Sequence, residues 1–239
     1  VVDTVRVSGD VIVPAGISLT IEKGTRVELA DNVAIIVHGQ IVSAGTANAG
    51  VTFTYGDTTN IEVKGMKSAK DEPKGWRGIR FYDNETAVYS LFNYTTIENV
   101  LTNYVDSSDS LTANGAVYVH DFNRLTFNNC TFSDNASDSL GGALYLENAA
   151  IRLVNTRFTN NSADLGSAIY LNGSDAMLID CLYDENNQDV AALYLENSNP
   201  AITNNTIVHS LPAVDCHNSS PILTNTDRKS TRLNSSHYS

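Results

Sequence analysis

Apolar and polar residues alternate along this chain in short runs, and the runs recur at a nearly fixed interval. Gly115-Ala116-Val117-Tyr118-Val119 is followed by Gly142-Ala143-Leu144-Tyr145-Leu146. Ser167-Ala168-Ile169-Tyr170-Leu171 and Ala191-Ala192-Leu193-Tyr194-Leu195 continue the series, with tyrosines 27, 25 and 24 residues apart. A fifth copy, Pro212-Ala213-Val214-Asp215-Cys216, keeps the apolar Val214 and loses the tyrosine. A second element repeats in phase: Asn129-Cys130-Thr131-Phe132, Asn155-Thr156-Arg157-Phe158, Asp180-Cys181-Leu182-Tyr183 and Asn205-Thr206-Ile207-Val208. A third lies between them, marked by Leu125 and Phe127, Ile151 and Leu153, Leu178, then Ile202. Strict alternation over a few residues is the signature of a strand with one buried face, and no helix-length apolar stripe interrupts it. Each period therefore holds three short strands separated by turns, which predicts an all-β solenoid.

Stacking dictates which residues touch. Hydrogen-bonded coils lie ~4.8 Å apart, so residues one period apart become vertical neighbours. Val117, Leu144, Ile169 and Leu193 form one inward column. Val119, Leu146, Leu171 and Leu195 form a second, and Phe132, Phe158, Tyr183 and Val208 a third. The period-2 alternation of strands puts Tyr118, Tyr145, Tyr170 and Tyr194 on the outside of the same sheet. Asn129, Asn155, Asp180 and Asn205 fall at a bend, where Asn and Asp tolerate left-handed backbone and can bond side chain to side chain as an asparagine ladder. The glycosylation-like triplets at Asn129, Asn160 and Asn204 follow from that turn chemistry.

The N-terminal third has the same logic in a looser phase. Runs of the same kind occur at Val11–Gly16, Leu19–Gly24, Ala34–Gly39, Ile41–Thr46, Val51–Thr54 and Trp76–Phe81, with glycines punctuating strand ends. Residues 56–75 and 101–114 are polar and read as excursions from the stack.

Composition narrows the function classes. Acidic residues outnumber basic ones 27 to 15, giving a formal net charge of −12. Such a chain repels phosphate backbones and anionic bilayers, so nucleic-acid binding is not expected. No apolar run reaches the ~20 residues of a membrane helix, so membrane insertion by this segment is not expected either. Cys130 and Cys181 share an inward position two coils apart, ~9.6 Å by strand spacing and too far for a disulfide. Cys216 belongs to another column, and three buried free thiols are expected.

The C-terminal stretch breaks the pattern. Asp227-Arg228-Lys229-Ser230-Thr231-Arg232-Leu233-Asn234-Ser235-Ser236-His237 is basic and lacks alternation. It is similar, codon for codon, to the translation of a widely used DNA-sequencing adapter. Residues 1–226 are thus expected to be the natural solenoid, continuing beyond Thr226, and residues 227–239 a foreign, disordered or loosely attached tail. The start at Val1 rather than Met points to a trimmed or fragmentary beginning.

The repeats resemble a known family. Phe132-Ser133-Asp134-Asn135 with Gly141-Gly142-Ala143-Leu144 resembles the paired FxxN and GGA[ILV] motifs of polymorphic outer-membrane proteins. Phe158-Thr159-Asn160-Asn161 with Gly166-Ser167-Ala168-Ile169 repeats it, and Tyr183-Asp184-Glu185-Asn186 with Ala191-Ala192-Leu193 is a degraded copy. Val13-Pro14-Ala15-Gly16, Gly45-Thr46 and Trp76-Arg77-Gly78-Ile79 look like the opening of secreted bacterial right-handed β-helix proteins. The resemblance implies a single right-handed parallel β-helix, three short strands per coil, secreted or on a cell surface. The fold hosts lyases, hydrolases, adhesins and tailspikes, so it does not name an activity.

Candidate chemistry is sparse. Polysaccharide-cleaving sites need carboxylates converging on one face. Asp180, Asp184 and Asp215 do not line up in neighbouring coils, and the Asp-Asp and Gly-His-Gly phrases of pectin hydrolases are missing. No metal-ligand spacing links the Cys and His residues. No catalytic residue, metal or cofactor is assigned. The surface feature with chemical content is Tyr118, Tyr145, Tyr170 and Tyr194 beside Glu147 and Glu196, an aromatic strip on which sugars could stack while carboxylates bond their hydroxyls. The leading expectation is a non-catalytic, adhesin-like β-helix presenting a face to polysaccharide or host glycans. The alternatives are part of a carbohydrate-active enzyme, either lyase or hydrolase, and a structural stalk.

Overall fold

The computed structural model describes residues 3–56, 74–82, 88–102 and 114–229. Both expected excursions fall largely outside these residues, as do residues 230–239. Among the described residues every extended element is a short strand, and each pairs in parallel with its equivalent one coil away. Three long sheets result. Sheet 1 holds nine strands, from Asp3–Val7 to Asp227–Lys229. Sheet 2 holds eight, from Val11–Val13 to Val214–His217. Sheet 3 holds eight, from Ser18–Ile21 to Ile222–Thr224. The chain visits sheets 1, 2 and 3 in turn, which is the architecture that three alternating runs per period predict.

The register bears out the inward columns of sheet 2. Val117 pairs with Leu144, Leu144 with Ile169, and Ile169 with Leu193, all fully buried. Val119, Leu146, Leu171 and Leu195 run beside them. The third column needs a correction. Phe132, Phe158 and Tyr183 continue to Ile207, not Val208, so the last repeat slips by one residue. The same slip moves the asparagine ladder. Asn129, Asn155, Asp180, Asn204 and Asn225 take left-handed backbone, with φ between 47° and 54–55°. Asn155 Nδ2 donates to Asn129 Oδ1 at 2.6 Å, Asn204 Nδ2 to Asp180 Oδ1 at 3.1 Å, and Asn225 Nδ2 to Asn204 Oδ1 at 3.2 Å. Asn205 instead points inward, in the column of Cys130, Thr156 and Cys181, and its Oδ1 accepts from the Cys181 N–H at 3.0 Å. Of two adjacent asparagines, the first takes the strained backbone and the second lends its amide to the interior.

A second ladder runs inside the turn from sheet 1 to sheet 2. Asn135, Asn161 and Asn186 are the Asn of successive FxxN phrases, and all are buried. Asn135 Nδ2 donates to Asn161 Oδ1 and Asn161 Nδ2 to Asn186 Oδ1, each at 2.9 Å. Their other amide hydrogens meet main-chain carbonyls of Ile97, Phe132 and Phe158. A turn that would otherwise bury unpaired backbone is thereby satisfied. The GGA phrase has an equally local cause. A Cβ on Gly142 would lie 2.2 Å from Ser167 O of the next coil, so only glycine lets the coils close.

Two expectations differ at the C-terminal end. Asp227–Lys229 extends sheet 1 as a strand, rather than hanging loose, and puts Arg228 in register with Ile207. A charged side chain thus enters a register filled by Phe132, Phe158, Tyr183 and Ile207 above it. Cys216 is exposed, whereas Cys130 and Cys181 are buried. It faces the same way as Leu195, but among the described residues its strand is the last of sheet 2 and no further coil covers it.

Candidate functional site

Sheet 2 carries all six residues assigned from the sequence. Its outward column runs Ile36, Arg80, Tyr118, Tyr145, Tyr170, Tyr194 and Asp215, one residue per coil. The rings pack on one another with centroids 5.1 Å apart for Tyr118–Tyr145, 5.2 Å for Tyr145–Tyr170 and 5.1 Å for Tyr170–Tyr194. Tyr82 and His217 extend the column at its two ends. The expected flat strip is therefore not what forms. Side chains 4.8 Å apart on an outward face lean into each other, and Tyr118, Tyr145 and Tyr170 retain only 6%, 7% and 5% exposure. The faces that a sugar would stack on are occupied by neighbouring rings.

The polar groups beside the rings are more accessible. Two positions after each of the four tyrosines, and after Asp215 in the fifth coil, His120, Glu147, Asn172, Glu196 and His217 form a continuous row. Two of its carboxylates are held by phenols from the coil before. Tyr118 OH donates to Glu147 Oε2 at 2.5 Å, and Tyr170 OH donates to Glu196 Oε2. His120 lies at one end, with Nδ1 3.3 Å from Glu147 Oε2 but making no hydrogen bond, and Nε2 3.1 Å from Asp121 Oδ2. Burial, reinforced by the acceptor carboxylates, pushes the Tyr118 and Tyr170 phenols above their ordinary titration range. They remain donors at any physiological pH, which fixes the carboxylate geometry. Sequence reasoning singled out Glu147 and Glu196 but missed His120, Asn172 and His217, although the same two-residue offset from the repeat marks all five.

Arg80 occupies the column above Tyr118 and is fully buried. Nη1 donates to Gly115 O at 2.8 Å and to Ile79 O at 3.3 Å, and Nη2 donates to Arg77 O. Burial lowers its pKa to about 10, so it stays charged at neutral pH. Elsewhere, a shallow groove of about 460 Å³ lies over the turns that carry Asp134, Asn160, Glu185 and Gln188. Asn160 Nδ2 already donates to Asp134 Oδ1 there. Among the described residues no group of three Cys, His, Asp or Glu side chains could hold a metal ion, and no helix is long and apolar enough to cross a membrane.

Residues 77–231 match the family described as right handed beta helix region. The chain belongs to the right-handed β-helix family. The handedness that the strand pairing leaves open is supplied by that match. The comparison with proteins of curated function gives no match. Among solved structures, the chain is similar to trypsin-treated QnrB1, a plasmid-mediated fluoroquinolone resistance protein, at 10% identity over 90% of this chain and 91% of that one, with a TM-score of 0.26. A likeness at that score carries no argument for a β-helix of this kind. Family membership accounts for the coil and names no activity.

Proposed function

We propose that this β-helix is a non-catalytic binding protein, secreted or carried on a cell surface, whose sheet 2 recognises glycans through the row His120–Glu147–Asn172–Glu196–His217. The observation that supports the reading is the pairing of Tyr118 with Glu147 and of Tyr170 with Glu196. Carboxylates fixed before a ligand arrives lose little side-chain freedom on binding, and polar groups so fixed set orientation in sugar sites. The two glutamates recur on alternate coils, so a polymer of regular repeat can meet both along its length. In this reading the tyrosines act as the bed of the site and as donors to its carboxylates, not as stacking platforms.

Retention on a panel of immobilised glycans tests it. The wild-type chain is expected to be retained on a subset, and Glu147→Gln with Glu196→Gln to weaken that retention while thermal unfolding is unchanged. Retention on none of the glycans favours a stalk. Release of new reducing ends or unsaturated products favours the enzyme alternative.

A further inference from the structure

The exposed Lys and Arg side chains on the described strands lie on sheets 1 and 3 and not on sheet 2. On sheet 1 exposed arginines pair with Glu28, Glu98 and Asp184. Arg6 and Arg26 lie 3.1 and 3.2 Å from Glu28, Arg26 also lies 3.9 Å from Glu98, and Arg157 lies 3.5 Å from Asp184. The eight strands of sheet 2 contain a single Lys or Arg, Arg80, and its guanidinium is buried against main-chain carbonyls. Among the described residues, Glu147 has only the imidazole of His120 as a basic neighbour within ion-pair distance, and Glu196 has none. Both carboxylates are nevertheless held in fixed positions by phenols. They stand on alternate coils, ~9.6 Å apart by strand spacing. Asn172 sits between them in the same row.

We infer that the ligand of this face is a glycan bearing free, protonated amino groups, whose ammonium centres supply the counter-charge that sheet 2 lacks. The inference rests on the glycan-binding reading above and narrows it. A carboxylate fixed by a neutral donor attracts a cation without first breaking an existing ion pair, whereas an anionic uronate or sulfated polymer would be repelled by a face whose described strands carry no exposed Lys or Arg. Asn172 offers both a donor and an acceptor for hydroxyls between the two charges.

The test compares three polymers of matched length on the full chain: a β-linked amino-sugar oligomer with free amines, its fully N-acetylated form, and a polyuronate. Affinity is expected to be at least about tenfold higher for the free-amine form, and that advantage to disappear near 1 M salt, where the screening length is ~3 Å. Glu147→Gln with Glu196→Gln should abolish the preference. Asp3→Asn with Glu22→Gln removes equal charge at exposed positions off sheet 2 and should leave it intact. Equal binding of the free-amine and acetylated forms overturns the charge inference while the glycan reading stands. Binding of none of the three overturns both. A lysine-rich peptide of the same charge binding as tightly as the amino-sugar oligomer, or equal losses in the two double variants, also overturns the inference.

Discussion

Tyr118 and Glu147 stand on neighbouring coils, and the phenol of the first gives its hydrogen to Oε2 of the second over 2.5 Å. The bond makes the tyrosine column sensitive to alkali. Burial raises the Tyr118, Tyr145, Tyr170 and Tyr183 phenols above their ordinary value of 10.0, and adjacent carboxylates add to the shift in the first three. The unfolded chain loses these protons near pH 10 while the folded chain keeps them. Stability contributed by the shift is therefore intact below pH 10 and falls as pH rises above it. Each phenol held protonated in the fold removes up to ~1.4 kcal/mol per pH unit. Unfolding followed by denaturant at pH 8 and pH 11 should show a large loss at the higher pH, with phenolate absorbance rising together with unfolding. Full ionisation of these tyrosines in a chain that remains folded would contradict the packing described.

Legibility of the sequence followed the strength of the repeat. The columns of sheet 2 were readable because Val117, Leu144, Ile169 and Leu193 alternate with tyrosines at every coil. The strands Ser90–Asn93 and Thr95–Glu98 escaped notice because polar Ser90 and Thr95 occupy buried positions there, with Thr95 bonded to Ser43. The slip at Asn204 and Asn205 was invisible because two adjacent asparagines fit either alignment, and only backbone strain distinguishes them. The site was half legible. Period-2 alternation located the tyrosines on the right face, but ring orientation depends on contacts between coils, which a linear pattern does not encode.

The two asparagine ladders differ in energy because one is dry and the other is wet. Asn161 accepts from Asn135 and donates to Asn186 Oδ1 and Phe132 O inside the turn. Its removal leaves several buried groups without partners, at ~1–3 kcal/mol each. Asn155 bonds Asn129 in solvent. Asn161→Ala should therefore lower unfolding free energy by about 3 kcal/mol or more, and Asn155→Ala by about 1 kcal/mol, chiefly from left-handed backbone strain. Urea unfolding of both variants measures the contrast, and equal losses would show that the inner ladder is solvated.

Tyr183 continues the stack of Phe132 and Phe158, with its ring 4.9 Å from Phe158 and 4° from parallel. Its hydroxyl is buried and meets no full hydrogen bond, with the weakly bonding Cys181 thiol as its polar neighbour. The sequence places tyrosine where the two preceding coils use phenylalanine. Tyr183→Phe keeps the stack and removes a buried hydroxyl that meets nothing stronger than a thiol, so it should stabilise the protein by about 1 kcal/mol. For a chain of this size that corresponds to a rise of roughly 2–4 °C in Tm. A fall in Tm would mean that the hydroxyl is satisfied by a buried water.

The three cysteines should separate cleanly by reactivity. Burial pushes the Cys130 thiol up to about 12 and the Cys181 thiol up to about 11, while Cys216 lies exposed at the last strand of sheet 2. The thiolate is the reactive species, so thiols with such values are inert at neutral pH unless the coil opens. A disulfide reagent at pH 8 should label one cysteine promptly in the native protein and three in denaturant, with Cys216→Ser abolishing the native reaction. Slow labelling of Cys130 and Cys181 should then track the opening of sheet 1 and sheet 3 at their shared edge. Native labelling of Cys181 as fast as Cys216 would place the inward column in solvent, against the stack on which the binding face depends.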